Sequence, residues 1–180
     1  TDGGNMKFKL IKFDELLNDL RLNDTLEENL SKIVRDIESE FEYSSLGFFF
    51  KSSNSVKFRL KIGRNISHSY MKSSFFTSED KLIEELGSKR MLEFKDSSEF
   101  KFERDYSHLL VQPISFRGVL LAFIFIEKAE GEFTDEEKTK FDIFSSVSSL
   151  IIKIFEQEKL IEDMRIYDPV TELYSSRAFI

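Results

Sequence analysis

The chain has 180 residues, the size of one domain with a helical extension, and its hydrophobic fraction of 41% can fill a sizeable core. A net charge of −7 without any run of five or six basic residues excludes a nucleic-acid groove, which needs a basic stripe. There is no cysteine, so disulfides, thiolate nucleophiles and sulfur metal ligands are excluded together. The longest apolar run, Val119 to Ile126, is eight residues, whereas a membrane-spanning helix needs about 20. No signal-peptide pattern opens the chain, so a cytoplasmic location is expected, with Thr1 to Asn5 as a loose terminus. Phe, at 20 of 180 residues, reads as core filler.

Phe13, Leu16, Leu17 and Leu20 fall at helical spacing and predict a short amphipathic helix. Asp24-x-x-Glu27 reads as a capping box opening a second helix, whose apolar face runs through Leu26, Leu30, Ile33, Val34 and Ile37 to about Phe41. A short apolar strand, Leu46-Gly47-Phe48-Phe49-Phe50, lies within Tyr43 to Ser52, and Ser52-Ser53-Asn54-Ser55 has turn chemistry. Val56, Phe58, Leu60 and Ile62 then alternate with Lys57, Arg59 and Lys61, completing a hairpin with a solvated basic face. Residues 63–77 read as irregular. Thr77-x-x-Asp80 caps a helix through about Gly87 that turns Leu82, Ile83 and Leu86 inward. A short strand follows at Met91 to Phe94, and residues 95–107 read as a long loop. Strands His108 to Phe116 and Val119 to Lys128 flank a tight turn at Arg117-Gly118. The second is apolar on both faces through Ile126 and belongs in the middle of a sheet. Thr134-x-x-Glu137 is another capping box, and a helical pattern free of Gly and Pro runs from it to Asp168.

Catalytic chemistry has little to build on. In Ser67-His68 and Ser107-His108 the two side chains are adjacent, and in a strand neighbours point to opposite faces. No acid to orient an imidazole is evident, no metal-ligand spacing occurs, and the seven glycines form no phosphate loop. No catalytic residue, metal or cofactor is therefore expected in the chain itself.

Leu110-Val111-Gln112-Pro113-Ile114, then Gly118-Val119-Leu120, then Phe133-Thr134-x-Glu136-Glu137 follow one another in the order seen in GAF domains. With the helix ahead of the first strand, residues 24–158 resemble that family; PAS domains, with a similar sheet but another helix order, are the nearest rival. The resemblance implies an α+β fold: a central antiparallel sheet flanked by helices, with a long C-terminal signalling helix. It divides the chain into an N-terminal tail and short helix (1–23), a GAF-like sensor domain (24–158), and a helical linker with the start of another domain (159–180). That start, Asp168-Pro169-Val170-Thr171-Glu172-Leu173-Tyr174-Ser175-Ser176-Arg177-Ala178-Phe179, resembles the opening of a GGDEF (diguanylate cyclase) domain at Asp168, Thr171, Leu173, Arg177 and Phe179. It departs from that pattern at Val170, Glu172, Ser175 and Ser176. GTP and Mg would then serve the cyclase domain, and the parent protein would make c-di-GMP.

The GAF resemblance further implies a small-molecule pocket on one face of the sheet, closed by the middle helix and the irregular segments. The expected ligand residues are Phe48, Phe50, His68, Tyr70, Arg104, Asp105, Tyr106, His108 and Gln112. Aromatic rings, a few hydroxyls and one Arg suit a purine nucleotide, and the family binds cyclic AMP or cyclic GMP. Another metabolite remains open, as does a ligand-free structural module filled by its own Phe side chains. The family's enzymatic type, a methionine sulfoxide reductase, works through cysteine and is excluded. Val147, Leu150, Ile154, Gln157, Ile161 and Met164 repeat with 3-4 spacing, the seam of a short coiled coil. A homodimer through this helix is expected; the alternative partner is the chain's own helix at Leu16 and Leu20. A degenerate output domain that senses GTP is a further alternative.

Overall fold

A computed structural model describes residues 25–52, 56–88 and 91–167, with residues 36, 37 and 159–167 described by backbone alone. The expected helix at Phe13 to Leu20, the turn residues Ser53, Asn54 and Ser55, and the segment from Asp168 onward lie outside the described residues.

Helix α1 spans Leu26–Ile37 and runs into a 3-10 turn at Glu38–Glu40. It is capped one residue later than Asp24-x-x-Glu27 suggests. The Thr25 hydroxyl accepts the Glu28 N–H at 3.1 Å, and the Glu28 carboxylate accepts the Thr25 N–H at 3.2 Å. Asp24-Thr25-Leu26-Glu27-Glu28 holds two overlapping boxes, and the sequence pattern does not choose between them. Strands β1 (Ser45–Lys51) and β2 (Phe58–Arg64) form the expected hairpin. The stretch read as irregular contains helix α2 (His68–Ser73) and the two-residue strand β3 (Phe75–Phe76). Six residues carry too little periodicity to read, although Ser67 caps α2 by accepting the Tyr70 N–H at 3.2 Å. Helix α3 (Lys81–Ser88) and strands β4 (Leu92–Phe94), β5 (His108–Phe116) and β6 (Val119–Lys128) follow in the expected order. Helix α4 (Asp135–Tyr167) opens on the box that the sequence places there: Thr134 and Glu137 exchange bonds of 3.0 and 3.1 Å.

The sheet order is β3-β2-β1-β6-β5-β4, with every neighbouring pair antiparallel. β6 lies in the interior, as an apolar strand must when both faces are covered. One face, the helix side, packs Leu46, Phe48, Leu110, Ile124 and Ile126 beneath α1 and α4. The opposite face, the aromatic side, packs Phe49, Phe58, Leu60, Val111, Phe123 and Phe125 beneath Leu82, Ile83 and Leu86 of α3 and Phe102 and Tyr106 of the 95–107 loop.

The apolar series of β2 does not stay on one face. Phe48 faces Ile62 across the hairpin and Phe49 faces Leu60, so Lys61 is an extra residue. This bulge sends Phe58 and Leu60 to the aromatic side and Ile62 to the helix side. Val56 is exposed. On the outward face the Lys57 Nζ lies 4.4 Å from the centre of the Phe75 ring, with the Arg59 guanidinium 5.6 Å away. At the β5–β6 turn, Arg117 and Gly118 both have positive φ (53° and 78°), the backbone that matches the twist of a two-residue hairpin.

Two glycines form the floor of the aromatic side. Gly47 and Gly63 are paired across β1 and β2, and Phe125 faces Gly47 from β6. A Cβ on Gly47 would stand 2.6 Å from Phe125 Cε1 and 2.8 Å from Leu60 Cδ1, so the ring occupies the space that a side chain would take. Gly47→Ala is expected to destabilise the fold by about 1–3 kcal/mol through overpacking. Urea unfolding should show this as a lower midpoint at unchanged slope. Adding Phe125→Leu should recover part of the loss, because the clash is with that ring.

Candidate functional site

The nine expected ligand residues divide between the two faces. Phe48 is fully buried on the helix side, 5.6 Å edge-on from Phe144, and Phe50 stacks on Phe48 at 6.1 Å. Gln112 is half-buried on the same side, beside α4. Asp105 is exposed, bonded to Ser97 and Lys101 at 3.2 and 3.4 Å, and His68 is exposed at the start of α2. Three of the nine, Tyr70, Arg104 and Tyr106, gather at one end of the aromatic layer.

His108 is held on both ring nitrogens. Its Nδ1 accepts the Phe133 N–H at 2.8 Å, which makes Nε2 the protonated nitrogen of a neutral ring, donating to Glu93 at 2.6 Å. Glu93 also accepts from Lys138 of α4 at 3.1 Å. Burial pushes the Glu93 carboxyl up, but the bonds from Lys138 and His108 outweigh it and hold it below the usual range. The buried imidazole thus ties β4, β5 and the residue before the α4 cap together.

The aromatic layer lies on the face covered by α3 and the 95–107 loop. Phe49 stacks on Phe123 at 4.7 Å, Phe102 on Phe125 at 4.1 Å, and Phe49 on Phe102 at 5.6 Å. Phe76 meets Phe49, Phe102 and Phe123 edge-on at 5.3 to 5.9 Å. Each such pair adds about 0.5–1.5 kcal/mol beyond the area that it buries.

At the end of this layer Glu127 follows Phe123 and Phe125 on the same face of β6 and is only 1% exposed. One carboxyl oxygen, Oε1, accepts the hydroxyl of Ser45, its cross-strand neighbour; the other, Oε2, has no partner. Burial pushes its pKa up, only partly offset by the Ser45 bond and the Arg104 charge, and the Glu103 carboxylate adds to the rise. Tyr70 and Tyr106 are raised as well, by burial first and then by neighbouring carboxylates that include Glu127. The Tyr106 hydroxyl donates to the Phe100 carbonyl and so fastens the 95–107 loop. Glu103 accepts the N–H of Ser67 at 3.1 Å and also its hydroxyl. Arg104 bonds the Asn65 carbonyl and Glu103, so the 95–107 loop is latched to the start of α2. Asn65 has φ 59°, a left-handed position that Asn tolerates well.

Sequence reasoning did not select Glu127, Ser45 or Glu103. The available signal was a carboxylate in phase with Phe123 and Phe125 in a strand otherwise apolar up to that point. Among the described residues no three His, Asp or Glu side chains gather to hold a metal, and no helix is long and apolar enough to cross a membrane. Of the expected dimer seam, Val147 is fully buried in the helix-side core, so it cannot face a second chain. Leu150 is exposed, Ile154 half-buried and Gln157 exposed, while the side chains of Ile161 and Met164 lie outside the described residues.

His108→Ala leaves the Phe133 N–H without its acceptor and is expected to cost about 1–3 kcal/mol in chemical unfolding. Glu127 gives a pH prediction of definite sign. Its folded pKa is raised, so its contribution to stability is complete below the ordinary value near 4.5 and is lost as pH rises through the folded pKa. Glu127→Gln should therefore gain stability relative to the parent as pH increases from 5 to 8 in paired urea titrations. A constant difference across that range would place the ionisation elsewhere.

No family model and no curated protein matches the sequence. Solved structures do match the fold. A GAF domain of a phosphoenolpyruvate-protein phosphotransferase from Coxiella burnetii is similar at 15% identity and TM-score 0.64, covering 84% of this chain and 96% of that one. The GAF domain of a two-component sensor histidine kinase from Bacillus halodurans is similar at 13% and 0.62, covering 75% and 98%. Free methionine-R-sulfoxide reductase from Neisseria meningitidis is similar at 10% and 0.64, covering 87% and 91%. The chain has the GAF fold: a six-stranded antiparallel sheet with helices and a long C-terminal helix.

Proposed function

We propose that this chain is a regulatory input module, which reads a small molecule on the aromatic side of its sheet and passes the result along α4 to a diguanylate cyclase domain. The observation that carries this reading is α4 itself. It has 33 residues, about 50 Å at 1.5 Å per residue. Among the described side chains of α4, Phe155 is the last that packs against the helix-side core, and the helix backbone continues to Tyr167. A helix that outruns its own core with Leu150, Ile154 and Gln157 along one stripe is completed most simply by the same helix of a second chain. Two cyclase domains would then sit at the ends of paired helices, where the synthesis of c-di-GMP from two GTP molecules needs them to meet. A ligand alters that meeting only by binding two arrangements of the dimer unequally. Fold relatives from a sensor kinase and a phosphotransferase fit a regulatory role.

The family resemblance favours a cyclic nucleotide such as cyclic AMP as that ligand. Its purine would have to replace Phe102 over Phe125, where the rings already stack at 4.1 Å. That self-filled layer favours a second reading, a ligand-free dimerisation module ahead of the cyclase.

Two measurements separate these. Sedimentation of Ile154→Asp plus Ile161→Asp should give a monomer where the parent chain is a dimer; an unchanged dimer sinks the paired-helix reading. Isothermal titration with cyclic AMP, cyclic GMP and cyclic di-GMP, with a mononucleotide control, should give saturable micromolar binding of one cyclic nucleotide if the purine reading holds. Silence in folded protein removes the nucleotide.

A further inference from the structure

Glu127 is the only buried carboxyl among the described residues, and one of its oxygens has no partner. We propose that Glu127 receives a compact primary ammonium group, so that the ligand of the aromatic side is an amine. The proposal rests on the reading of that side as the sensing side, and it names the ligand class.

The surroundings accept hydrogen bonds and attract cations. Ser45 donates to Glu127 Oε1, which leaves Oε2 for a donor from outside the protein. The charged and titratable groups in electrostatic reach of Glu127 are Glu103, Arg104, Tyr70 and Tyr106. The one cation among them, Arg104, is already bonded to the Asn65 carbonyl and to Glu103. Both phenols keep their protons at neutral pH, because burial and the nearby carboxylates push their pKa values up. Their oxygens can accept N–H bonds and their ring faces attract a cation. An anion such as a cyclic phosphate meets the opposite condition at Glu127 and Glu103: two carboxyls, with Arg104 Nη2 bonded to the Asn65 carbonyl and to Glu103. An ammonium brings three N–H donors and the one charge that a buried carboxylate lacks.

The proton balance follows. Without ligand, burial favours the neutral acid at Glu127. When R–NH3+ enters, Glu127 gives its proton to the solvent and forms an ammonium–carboxylate pair. Affinity therefore falls as the pH is lowered and the free protein takes up that proton.

The test is calorimetric titration of the full 180-residue chain with n-propylammonium and 1,4-diaminobutane, with cyclic AMP and matched sodium chloride as controls. Saturable binding of a primary amine is expected, weakening as the pH is lowered toward the ordinary carboxyl value near 4.5, because the neutral acid cannot pair with an ammonium. Glu127→Gln should lose at least tenfold in affinity, while Asp142→Asn, exposed on α4, should not. Amine silence at millimolar concentration overturns the proposal, as does amine binding that strengthens as the pH falls, a readout that needs no variant. Equal amine binding by a folded Glu127→Gln also overturns it. The outcome is independent of the paired-helix reading: with amines silent and Ile154→Asp plus Ile161→Asp still monomeric, the regulatory module stands and this ligand class falls.

Discussion

Phe125 lying across Gly47 is the contact on which the aromatic side of this molecule depends. The central pair of strands brings a residue without a side chain opposite a large ring, and the ring fills the space. Phe102 then stacks on Phe125, drawing in the 95–107 loop, and Phe49 and Phe123 extend the stack along the neighbouring positions. A purine-sized cavity in this layer would require the stack to open. The polar chemistry is displaced to the end of the layer, where Ser45 and Glu127 meet across β1 and β6.

The other face is organised by helices. α1 and α4 cover it, and the neutral His108 ring joins the lead-in of α4 to β4 through Phe133 and Glu93. Lys128 at the end of β6 reaches Glu137 in the first turn of α4 at 2.9 Å, with both side chains largely shielded from solvent. β6 thus ends in adjacent residues that serve different purposes. Glu127 turns into the aromatic side, and Lys128 bonds the first turn of α4. Glu127 therefore lies one residue from the Lys128–Glu137 pair that anchors α4.

Much of the architecture was legible in the sequence. The two core helices, the hairpin, the buried β6 and the capping box at Thr134 all have periodic or local signals, which survive in the folded chain because they are short-range. What failed was phase. Phe58, Leu60 and Ile62 look like one face of a strand, but the bulge at Lys61 divides them between two cores. Val147 fits a 3-4 seam as well as a core stripe, because a helix covering a wide sheet face buries more than one stripe. The expected ligand residues are divided in the same way. His108, Phe48 and Gln112 were chosen as residue types near the expected pocket, and β5 and β1 turn all three to the helix side.

By itself the sequence determined the class, order and extent of the main elements, the central place of β6 and the length of the final helix, since each rests on local periodicity and capping. Only the tertiary structure decided which face each residue serves. Facing depends on register between strands far apart in the chain, and one extra residue reverses it. For the same reason Glu127 reads in the sequence as the first polar residue after an apolar run. In the fold it is a buried carboxyl beside Ser45, 82 residues away in the chain.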